Sequence, residues 1–535
     1  MASSLQELSK FGEIIKKSKS FEDGNITRYQ LQKMMDSTDQ SQSYEKIYLG
    51  ERNQQKPYKN ILLVGETGTG KTTLINTMIN YMLGVQREDK VWFEITDDQS
   101  DRNSAHSQTS RVTVYGFYLQ ESKTDLTIID TPGYGDTRGD DLDKDIAVSL
   151  LNLSKSAEGI HEIHAVCLVI KASQNRLSDR QKYIFDAVQS LFGKDISENI
   201  VLLFTHSDGM RPKNALTAVK EAKIKCAVND KKQPVFFLFN NRQSEPADEE
   251  HDEDYDEEYD EENKQRLDQS WNLSFKGMIG LFEFLDTIKP KSLEMTRDVL
   301  QKRQQLEANI SNLRLRVQMM ELKQKELKQT QEALEQNKKD VIANKNFEYE
   351  VEVSDKVIVD IDHTKASKAT CCNVCKENCH YPGCWWVSNL AWCEVMKNNY
   401  CTVCTNKCHY SKHVKEAKIY QIKTKKEKRS FKDLKKKYKD NIGGGVSLVK
   451  KLNEELQELE KEKIKLVIEA FDCVETLEKI ALNTDSLFLV QHIDVLIEKL
   501  KEINEPEKAS TLENIKKRAG EEKHGVDYIK RFFLK

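Results

Sequence analysis

The feature that most constrains the fold is a glycine-rich segment between an apolar run and a helical pattern. It reads GETGTGKT over residues 65–72 and matches GxxxxGK[ST] in full. In a strand–loop–helix context, the backbone N–H groups of such a loop cradle phosphates, its lysine reaches the β- and γ-phosphates, and its last hydroxyl binds Mg²⁺. The predicted phosphate-binding residues are Gly65, Glu66, Thr67, Gly68, Thr69, Gly70, Lys71, Thr72 and Thr73.

Six short apolar runs alternate with helical stretches between residues 59 and 288. They are NILLVG at 60, VTVYGFYL at 112, LTIID at 126, AVCLVI at 165, IVLLFT at 200 and VFFLFN at 235. Strands that alternate with helices favour a mostly parallel sheet covered on both faces. We therefore predict an α/β fold, a P-loop domain over residues 57–291, preceded by an accessory segment over residues 1–56 with short helical patterns.

Two polar motifs follow other strands of this predicted sheet. Asp130-Thr131-Pro132-Gly133 ends LTIID, where a Walker-B aspartate holds Mg²⁺ through water and a glycine N–H faces the γ-phosphate. Thr205-His206-Ser207-Asp208 ends IVLLF. A carboxylate at this place accepts two hydrogen bonds from the N–H groups of guanine, which adenine does not offer. Asp130 is therefore predicted to support Mg²⁺, and Asp208 to select guanine.

The order of these motifs resembles that of TRAFAC-class GTPases. The stretch from His164 to Asp208 is similar to the AIG1/GIMAP branch, which has septins and chloroplast Toc receptors as relatives. The resemblance covers residues 57–290 and implies GTP or GDP with Mg²⁺ as ligands. It also implies that SQTSRVTVY is switch I, with Thr109 on Mg²⁺ and the γ-phosphate, and that Asn240 or Asn241 of FNNRQ touches guanine. Lys71, Thr109 and Gly133 are the residues predicted to act at the γ-phosphate.

Two departures from the common G-protein pattern affect the expected chemistry. THSD replaces NKxD, so His206 stands where a lysine stem usually covers the base, and its imidazole is expected to stack there. Tyr134 follows DTPG in place of a glutamine that would orient the attacking water, which predicts slow hydrolysis. Because related families pair their G domains across the nucleotide, the resemblance implies a homodimer, with Arg138 or Arg176 at the shared face.

Apolar residues at a three-four spacing indicate two long helices after the α/β region. The first set comprises Leu306, Ile310, Leu313, Val317, Met320, Leu327, Leu334 and Val341. The second comprises Leu452, Leu456, Leu459, Leu466, Ala470, Cys473, Leu477 and Ile480. Sustained heptads favour a coiled coil, and a cysteine-rich segment between the two sets predicts an antiparallel hairpin with that segment at its tip. A compact helical bundle uses the same seam and is the alternative.

The predicted boundaries in this half of the chain are as follows. The first coiled-coil helix covers residues 292–346, the cysteine-rich module 347–427, the returning helix 428–482 and a C-terminal helical segment 483–535. Alternating residues on either side of the cysteines indicate short strands that form a β-platform for a metal.

Nine of the twelve cysteines lie between residues 371 and 408, and seven of these nine belong to a duplicated CxVCxxxCHYxx[C/H] unit. Zinc prefers thiolate and imidazole ligands, and a CxxC knuckle places two sulfurs on one tetrahedral ion. We predict two structural Zn²⁺ sites whose ligands are Cys372, Cys375, Cys379, Cys384, Cys401, Cys404, Cys408 and His413. Spacing does not decide whether each unit closes on itself or the two interleave, and Cys371, Cys393, His380 and His409 are alternates. An iron–sulfur cluster, disulfides and a RING-type ubiquitin ligase are the competing interpretations.

The net charge of −4 conceals two opposite runs. Thirteen of eighteen residues are acidic over 245–262, which predicts a disordered loop. Between residues 412 and 440, thirteen basic residues face four acidic ones, which indicates a solvated helix face or a surface for anionic lipid, nucleic acid or the acidic loop. Few aromatic residues interleave with the lysines, so nucleic acid is disfavoured. No apolar run reaches ~18 residues and no signal-peptide core is present, which predicts a cytoplasmic protein.

These patterns predict a GTP-binding protein with slow hydrolysis, whose nucleotide state controls self-assembly or the capture of a protein partner at the coiled coil or the zinc module. A scaffold with permanently bound GTP is the second hypothesis. The third is an ATP-driven, SMC-like machine, which THSD disfavours.

Overall fold

The structure is a computed structural model. It describes residues 10–21, 26–35, 44–53, 55–96, 111–120, 122–134, 141–156, 159–173, 179–242, 257–343, 345–362, 368–381, 389–437, 445–483 and 487–521. The chain forms two compact units. Unit 1 contains the described residues up to Leu300 together with Ile480–Leu487, and unit 2 contains Gln301–Lys479 together with the described residues from Phe488 onward.

Unit 1 combines helices with strands. The strands are β1 (Lys19–Phe21), β2 (Thr27–Gln30), β3 (Met34–Met35), β4 (Tyr44–Gly50), β5 (Tyr58–Gly65), β6 (Val91–Glu94), β7 (Val112–Tyr118), β8 (Asp125–Asp130), β9 (Glu162–Ile163), β10 (Ala165–Lys171), β11 (Ile200–Thr205), β12 (Phe236–Leu238) and β13 (Lys291–Ser292). The helices are α1 (Gly12–Lys16), α2 (Lys71–Met82), α3 (Asp141–Lys155), α4 (Asp179–Gln189), α5 (Lys213–Glu221), α6 (Glu257–Thr287) and α7 (Glu294–Gln336), of which α7 continues into unit 2.

The main sheet of unit 1 has eight strands in the order β12-β11-β10-β5-β8-β7-β4-β3. All neighbours are parallel except the pairs β7–β8 and β3–β4. Alternate residues of β5 enter two different cores, Ile61 and Leu63 on one face and Leu62 and Val64 on the other. Both faces are therefore covered, as continuous apolar strands require. The six predicted strands and the α/β fold class are confirmed.

The described residues of the predicted accessory segment, which covers residues 1–56, lie in the same compact unit as the main sheet. β4 pairs in parallel with β7, and β1 and β2 extend a sheet that includes β6. Arg28 and Glu94 form a buried ion pair between β2 and β6, with Nε donating to Oε1 at 2.9 Å. The predicted helical patterns are wrong over the described part of 19–50, because Tyr44 and Ile47 are buried in pairing with the sheet, which outweighs local propensity.

Unit 2 combines long helices with small sheets. Beside α7, its helices are α8 (Lys338–Ile342), α9 (Phe431–Lys437), α10 (Gly445–Ile480), α11 (Leu487–Glu502) and α12 (Pro506–Glu521). Its strands are β14 (Glu348–Asp360), β15 (Ala369–Cys372), β16 (Glu377–His380), β17 (Met396–Lys397), β18 (Tyr400–Cys401), β19 (His413–Glu416) and β20 (Lys418–Ser430).

Helices α7 and α10 run antiparallel, as predicted. Gln331 Nε2 donates to Asn453 Oδ1 at 2.8 Å, and Gln324 Nε2 donates to Glu460 Oε2 at 3.1 Å, so residue numbers rise along one helix as they fall along the other. The apolar seam residues of α7 are buried. Helix α11 packs against α7, where Lys499 pairs with Glu321 at 3.8 Å, and α12 pairs with α10 and α11. The hairpin thus sits in a helical bundle, the arrangement weighed as its alternative.

A two-stranded antiparallel ribbon, formed by β14 and β20, separates the helices from the cysteines. Four acidic residues of β14 lie directly opposite lysines of β20: Glu350 and Lys428, Glu352 and Lys426, Asp355 and Lys423, and Asp360 and Lys418. The strands predicted on either side of the cysteines, over 346–362 and 417–426, are therefore confirmed, and the returning helix predicted from residue 428 is wrong only for residues 428–430, which belong to β20. Opposite charges on facing strands stabilise such a pair, and four of the thirteen basic residues of the run face acidic residues of the same chain.

The cysteine-rich segment does not lie at the tip of the hairpin, which corrects the prediction. Ala308, in the first half of α7, packs in one cluster with Cys372 and Cys404, and Asn312 Nδ2 donates to Val403 O at 3.3 Å. The ribbon runs back along α7 because Tyr349, Val351 and Val353 form an apolar face that packs with Ala333. The hairpin is closed instead by the stacked rings of Phe347 and Phe431, whose centroids are 5.2 Å apart.

Two further predictions concern long segments. Residues 245–256 of the acidic run lie outside the described residues, whereas residues 257–262 form the first turns of α6, so the disordered loop is corrected for that part. None of the helices described here has the length and apolar character needed to cross a membrane.

Candidate functional site

The P-loop (residues 65–72) joins the end of β5 to the start of α2. Gly68 and Gly70 have φ angles of +75° and +80°, a left-handed conformation that glycine adopts without steric cost. A Cβ on Gly65 would stand 2.4 Å from the carbonyl oxygen of Val169. The loop therefore owes its shape to its three glycines, as the motif predicts.

Lys71 extends back into the loop from the first turn of α2. The residue is 6% exposed, and its Nζ donates to the carbonyl oxygens of Gly65 and Glu66 at 3.2 and 3.1 Å. Thr205 at the end of β11 donates its hydroxyl to Thr69 O at 2.7 Å, which ties the loop to the neighbouring part of the sheet. A positive charge thus lies at a helix N-terminus, where anions bind.

The DTPG segment is joined directly to the P-loop. Asp130 is fully buried at the end of β8, and β8 pairs with β5 in a register that places it opposite Leu63. Tyr134 N donates to Gly65 O at 3.1 Å, and a Cβ on Gly133 would stand 2.3 Å from Thr67 Oγ1. The absence of a side chain at Gly133 is therefore required for this approach. Asp130 thus lies on the strand next to the one that leads into the P-loop, where its carboxylate could support a metal ion.

The predicted base-binding residues come from two loops beside the P-loop. The His206 ring lies near Gly70, with Cε1 3.7 Å from where a Cβ on that glycine would stand. Asp208 is exposed, and its Oδ1 accepts a hydrogen bond from Met210 N at 2.9 Å. Both residues thus stand at the open side of the loop.

Sequence reasoning missed Ser274, which positions the second of these loops. Its hydroxyl, on α6, lies 2.9 Å from both Asn240 O and Asn241 Oδ1 and accepts from Asn240 N at 3.0 Å. A single serine within a long helix carries no signal by which this role could be found.

Three other predicted residues, Thr109, Arg138 and Arg176, lie outside the described residues.

The cysteines form two groups that could each hold a metal ion. One contains Cys372, Cys375, Cys404 and Cys408, and the other contains Cys379, Cys401, Cys404 and His413. Within each group the ligand atoms all lie within 4.8 Å of one another. Each group draws on both copies of the duplicated unit, so the units interleave, which spacing alone left open.

The geometry of these groups fits zinc. The Sγ atoms of Cys375 and Cys408 are 3.8 Å apart, close to the ~3.8 Å expected for two sulfurs on one tetrahedral Zn²⁺. His413 holds its Nδ1 3.2 Å from His409 O, and its buried Nε2 has no hydrogen-bond partner among the described residues. That arrangement leaves one ring nitrogen for a metal while the other is oriented by a carbonyl. Hydrogen bonds with the Cys379 and Cys404 thiols lower the pKa of Cys401 to about 4, which favours the thiolate.

The four residues that the sequence offers as alternative metal ligands lie outside the two ligand groups. His380 Nδ1 lies 3.4 Å from Cys393 Sγ, and both side chains are buried outside the two groups. The Cys371 thiol donates to Asn378 Oδ1 at 3.4 Å, and the His409 Nδ1 lies 3.0 Å from Ser411 Oγ. Cys384 lies outside the described residues. The described cysteines are all free thiols.

A buried carboxylate, Glu377, joins the cysteine module (residues 369–416) to α7. It accepts hydrogen bonds from Asn312 Nδ2 at 3.2 Å and from Thr405 N at 3.1 Å. Its Oε1 lies 3.5 Å from Lys356 Nζ and 3.9 Å from Arg316 Nε. Glu377 is 2% exposed. The sequence contains no sign of this role, since a glutamate between cysteines is expected in solvent.

Comparison with known proteins places the nucleotide site in a family. The AIG1 family model matches residues 59–255. Immune-associated nucleotide-binding protein 10 of Arabidopsis thaliana is 31% identical over 157 residues, which are 29% of this chain and 29% of that protein. Immune-associated nucleotide-binding protein 1 of the same plant is 26% identical over 163 residues, which are 30% of this chain and 62% of that protein.

A solved structure, Toc33 from Arabidopsis thaliana in complex with GDP and Mg²⁺, is 18% identical with a TM-score of 0.24 and covers 34% of this chain and 71% of that chain. The matched stretch spans less than two thirds of either curated plant relative. The strand–P-loop–helix unit and the motifs after β8 and β11 all lie within the matched residues. Residues 59–255 are thus a domain of the AIG1 family.

Proposed function

We propose that unit 1 binds GTP or GDP with Mg²⁺ and hydrolyses GTP slowly. The observation that supports this most is the buried Lys71 ammonium inside a glycine-shaped loop that precedes a helix. The AIG1 match and the nucleotide-binding names of the plant relatives agree with it.

Each predicted residue has a role in this proposal. Lys71 and the P-loop N–H groups hold the phosphates, Thr72 and Thr109 bind Mg²⁺, and Asp130 supports the ion through water. The N–H of Gly133 faces the γ-phosphate. On the base side, the His206 ring stacks, Asp208 accepts from guanine, and Asn240 or Asn241 touches the ring. Hydrolysis is slow because Tyr134 follows DTPG in place of a glutamine, so the water is poorly oriented.

Guanine selection is tested by competition against a fluorescent GTP analogue on the full chain. Unlabelled GTP and GDP are expected to displace the analogue at concentrations at least about 100-fold lower than ATP, because Asp208 pairs with N–H groups that adenine lacks. Equal displacement by ATP would contradict the assignment. Multiple-turnover phosphate release is measured in parallel, and a complete lack of release would favour the permanently loaded scaffold.

We further propose that two copies pair through unit 1 when GTP is bound. The AIG1 resemblance and the exposure of Asp208 at the open side of the site support a partner on that face. Sedimentation velocity is expected to show a monomer with GDP and a dimer with a non-hydrolysable GTP analogue. The same monomer in both states would exclude this form of self-assembly.

The remaining parts of the proposal concern unit 2 and the cell. Two structural Zn²⁺ ions stabilise the cysteine module, and the nucleotide state controls self-assembly or the capture of a protein partner at unit 2. A cytoplasmic location follows from the sequence expectation, because zinc thiolates of this kind persist where cysteines stay reduced.

A further inference from the structure

We propose that the two metal ions share the Cys404 thiolate, so that the cysteine module holds one binuclear zinc–thiolate centre built from seven side chains rather than two separate sites built from eight. The inference rests on the proposed binding of zinc to the module. It concerns a connection between the two ions that neither spacing nor the family match implies.

Cys404 is the residue that the two ligand groups have in common. Its side chain is fully buried, and it ends the CxxC knuckle that begins at Cys401. On one side lie Cys372, Cys375 and Cys408, and on the other lie Cys379, Cys401 and His413. Removing Cys404 from either group would leave three ligands where a structural zinc site needs four.

Backbone hydrogen bonds hold the knuckle in this position. Cys408 N donates to Cys404 Sγ at 3.2 Å, and Cys404 N donates to Cys401 Sγ at 3.4 Å. These N–H groups stabilise negative charge on sulfur, so the thiolates are favoured even in a buried cluster. Two bonds of ~2.3 Å from one sulfur place the ions no more than roughly 4.6 Å apart.

The alternates do not supply an eighth ligand within the described residues. Cys393 pairs with His380 and lies near Thr370 Oγ1 at 3.7 Å, while Cys371 donates to backbone and side-chain oxygens on the ribbon side of the module. Sharing one thiolate also removes one negative charge from a buried centre, which reduces the cost of desolvation. Cys384 is the remaining cysteine of the duplicated unit, and the experiment compares it directly with Cys404.

The test measures zinc per chain in the full-length protein by mass spectrometry of the metal after gel filtration with a weak chelator. The wild type is expected to retain two ions, Cys372→Ser one, and Cys384→Ser two. Cys404→Ser is expected to retain far less than one, because both coordination spheres lose a ligand. Retention of one ion by Cys404→Ser together with loss of one by Cys384→Ser would overturn the shared ligand.

A second measurement does not depend on any variant being folded. Co²⁺ replaces Zn²⁺ in the wild type, and the electron paramagnetic resonance intensity per cobalt is followed from half to full loading. A bridging thiolate couples the two ions, so the intensity per cobalt is expected to fall as the second ion enters. Constant intensity would overturn the bridge while leaving zinc binding intact, whereas a wild type that holds no metal would contradict the proposed zinc function itself.

Discussion

The Lys71→Ala variant is expected to bind GTP and GDP at least about 100-fold more weakly than the wild type, because each charge-assisted hydrogen bond from the ammonium to phosphate contributes about 1.5–3 kcal/mol and the lysine offers two or more. The structure holds this ammonium inside the loop, on the carbonyl oxygens of Gly65 and Glu66. No other lysine or arginine is present in residues 65–73 to replace it.

Fluorescence titration with labelled GDP and GTP measures the change. Lys220→Ala is a matched control, because Lys220 is an exposed lysine of the last turn of α5 in the same unit, and it is expected to leave the affinity unchanged. Circular dichroism checks that both variants are folded. Tight binding retained by Lys71→Ala in a folded protein would refute the assignment of the phosphate site.

The Glu377→Ala variant is expected to open the cysteine module, at a cost of about 3–5 kcal/mol, because it removes the carboxylate that pairs with Lys356 and Arg316 and accepts from buried N–H donors. The Arg316 side chain is 6% exposed, and its Nε lies 3.9 Å from the Glu377 carboxylate, with a second acid, Glu462, on its Nη2. Removing the carboxylate also takes away the oxygen that accepts hydrogen bonds from the buried N–H donors of Asn312 and Thr405. Both effects act on the contact between the module and α7.

Hydrogen–deuterium exchange of the zinc-loaded chain measures this opening where it occurs. Peptides that cover residues 369–380 and 400–416 are expected to exchange at least about 100-fold faster in the variant. Glu352→Ala is the control, because its carboxylate also pairs with a lysine, Lys325 at 2.7 Å, but on the exposed side of the ribbon, where ion pairs add little. Equal exchange in Glu377→Ala and Glu352→Ala would show that the buried network does not hold the module.

The parts of the fold that follow local periodicity were predictable. β5, β8 and β11 are continuous apolar runs, and the P-loop glycines define their own φ angles, so both the sheet and the phosphate site could be derived from short stretches of sequence. The heptad seam from Leu306 to Val341 was predictable for the same reason, since one face of a helix repeats at a fixed spacing.

What could not be predicted depends on contacts between distant residues. The interleaving of the two cysteine units, the role of Ser274 and the burial of Glu377 each join segments that are not adjacent in the chain. The alternation of residues 417–426 predicts a strand, but pairing with the acidic β14 extends β20 to Ser430, past the predicted start of the returning helix at residue 428. The direction of the ribbon along α7, which brings the cysteine module to Ala308 and Asn312 and not to the hairpin tip, depends on contacts that neither strand reveals by itself.

The length of the ribbon formed by β14 and β20 sets the position of the cysteine module along α7. β14 has 13 residues, which at ~3.3 Å each extend roughly 43 Å. The part of α7 from Ala308 to Gln336 rises roughly 42 Å at 1.5 Å per residue. The two lengths match, so a strand that starts beside the end of α7 returns the chain to Ala308. Shortening each strand by two residues would keep the same face toward α7 but displace the module by roughly 7 Å, beyond the reach of Arg316 and Asn312. The length of the ribbon therefore decides which turn of the helix receives the cysteine module.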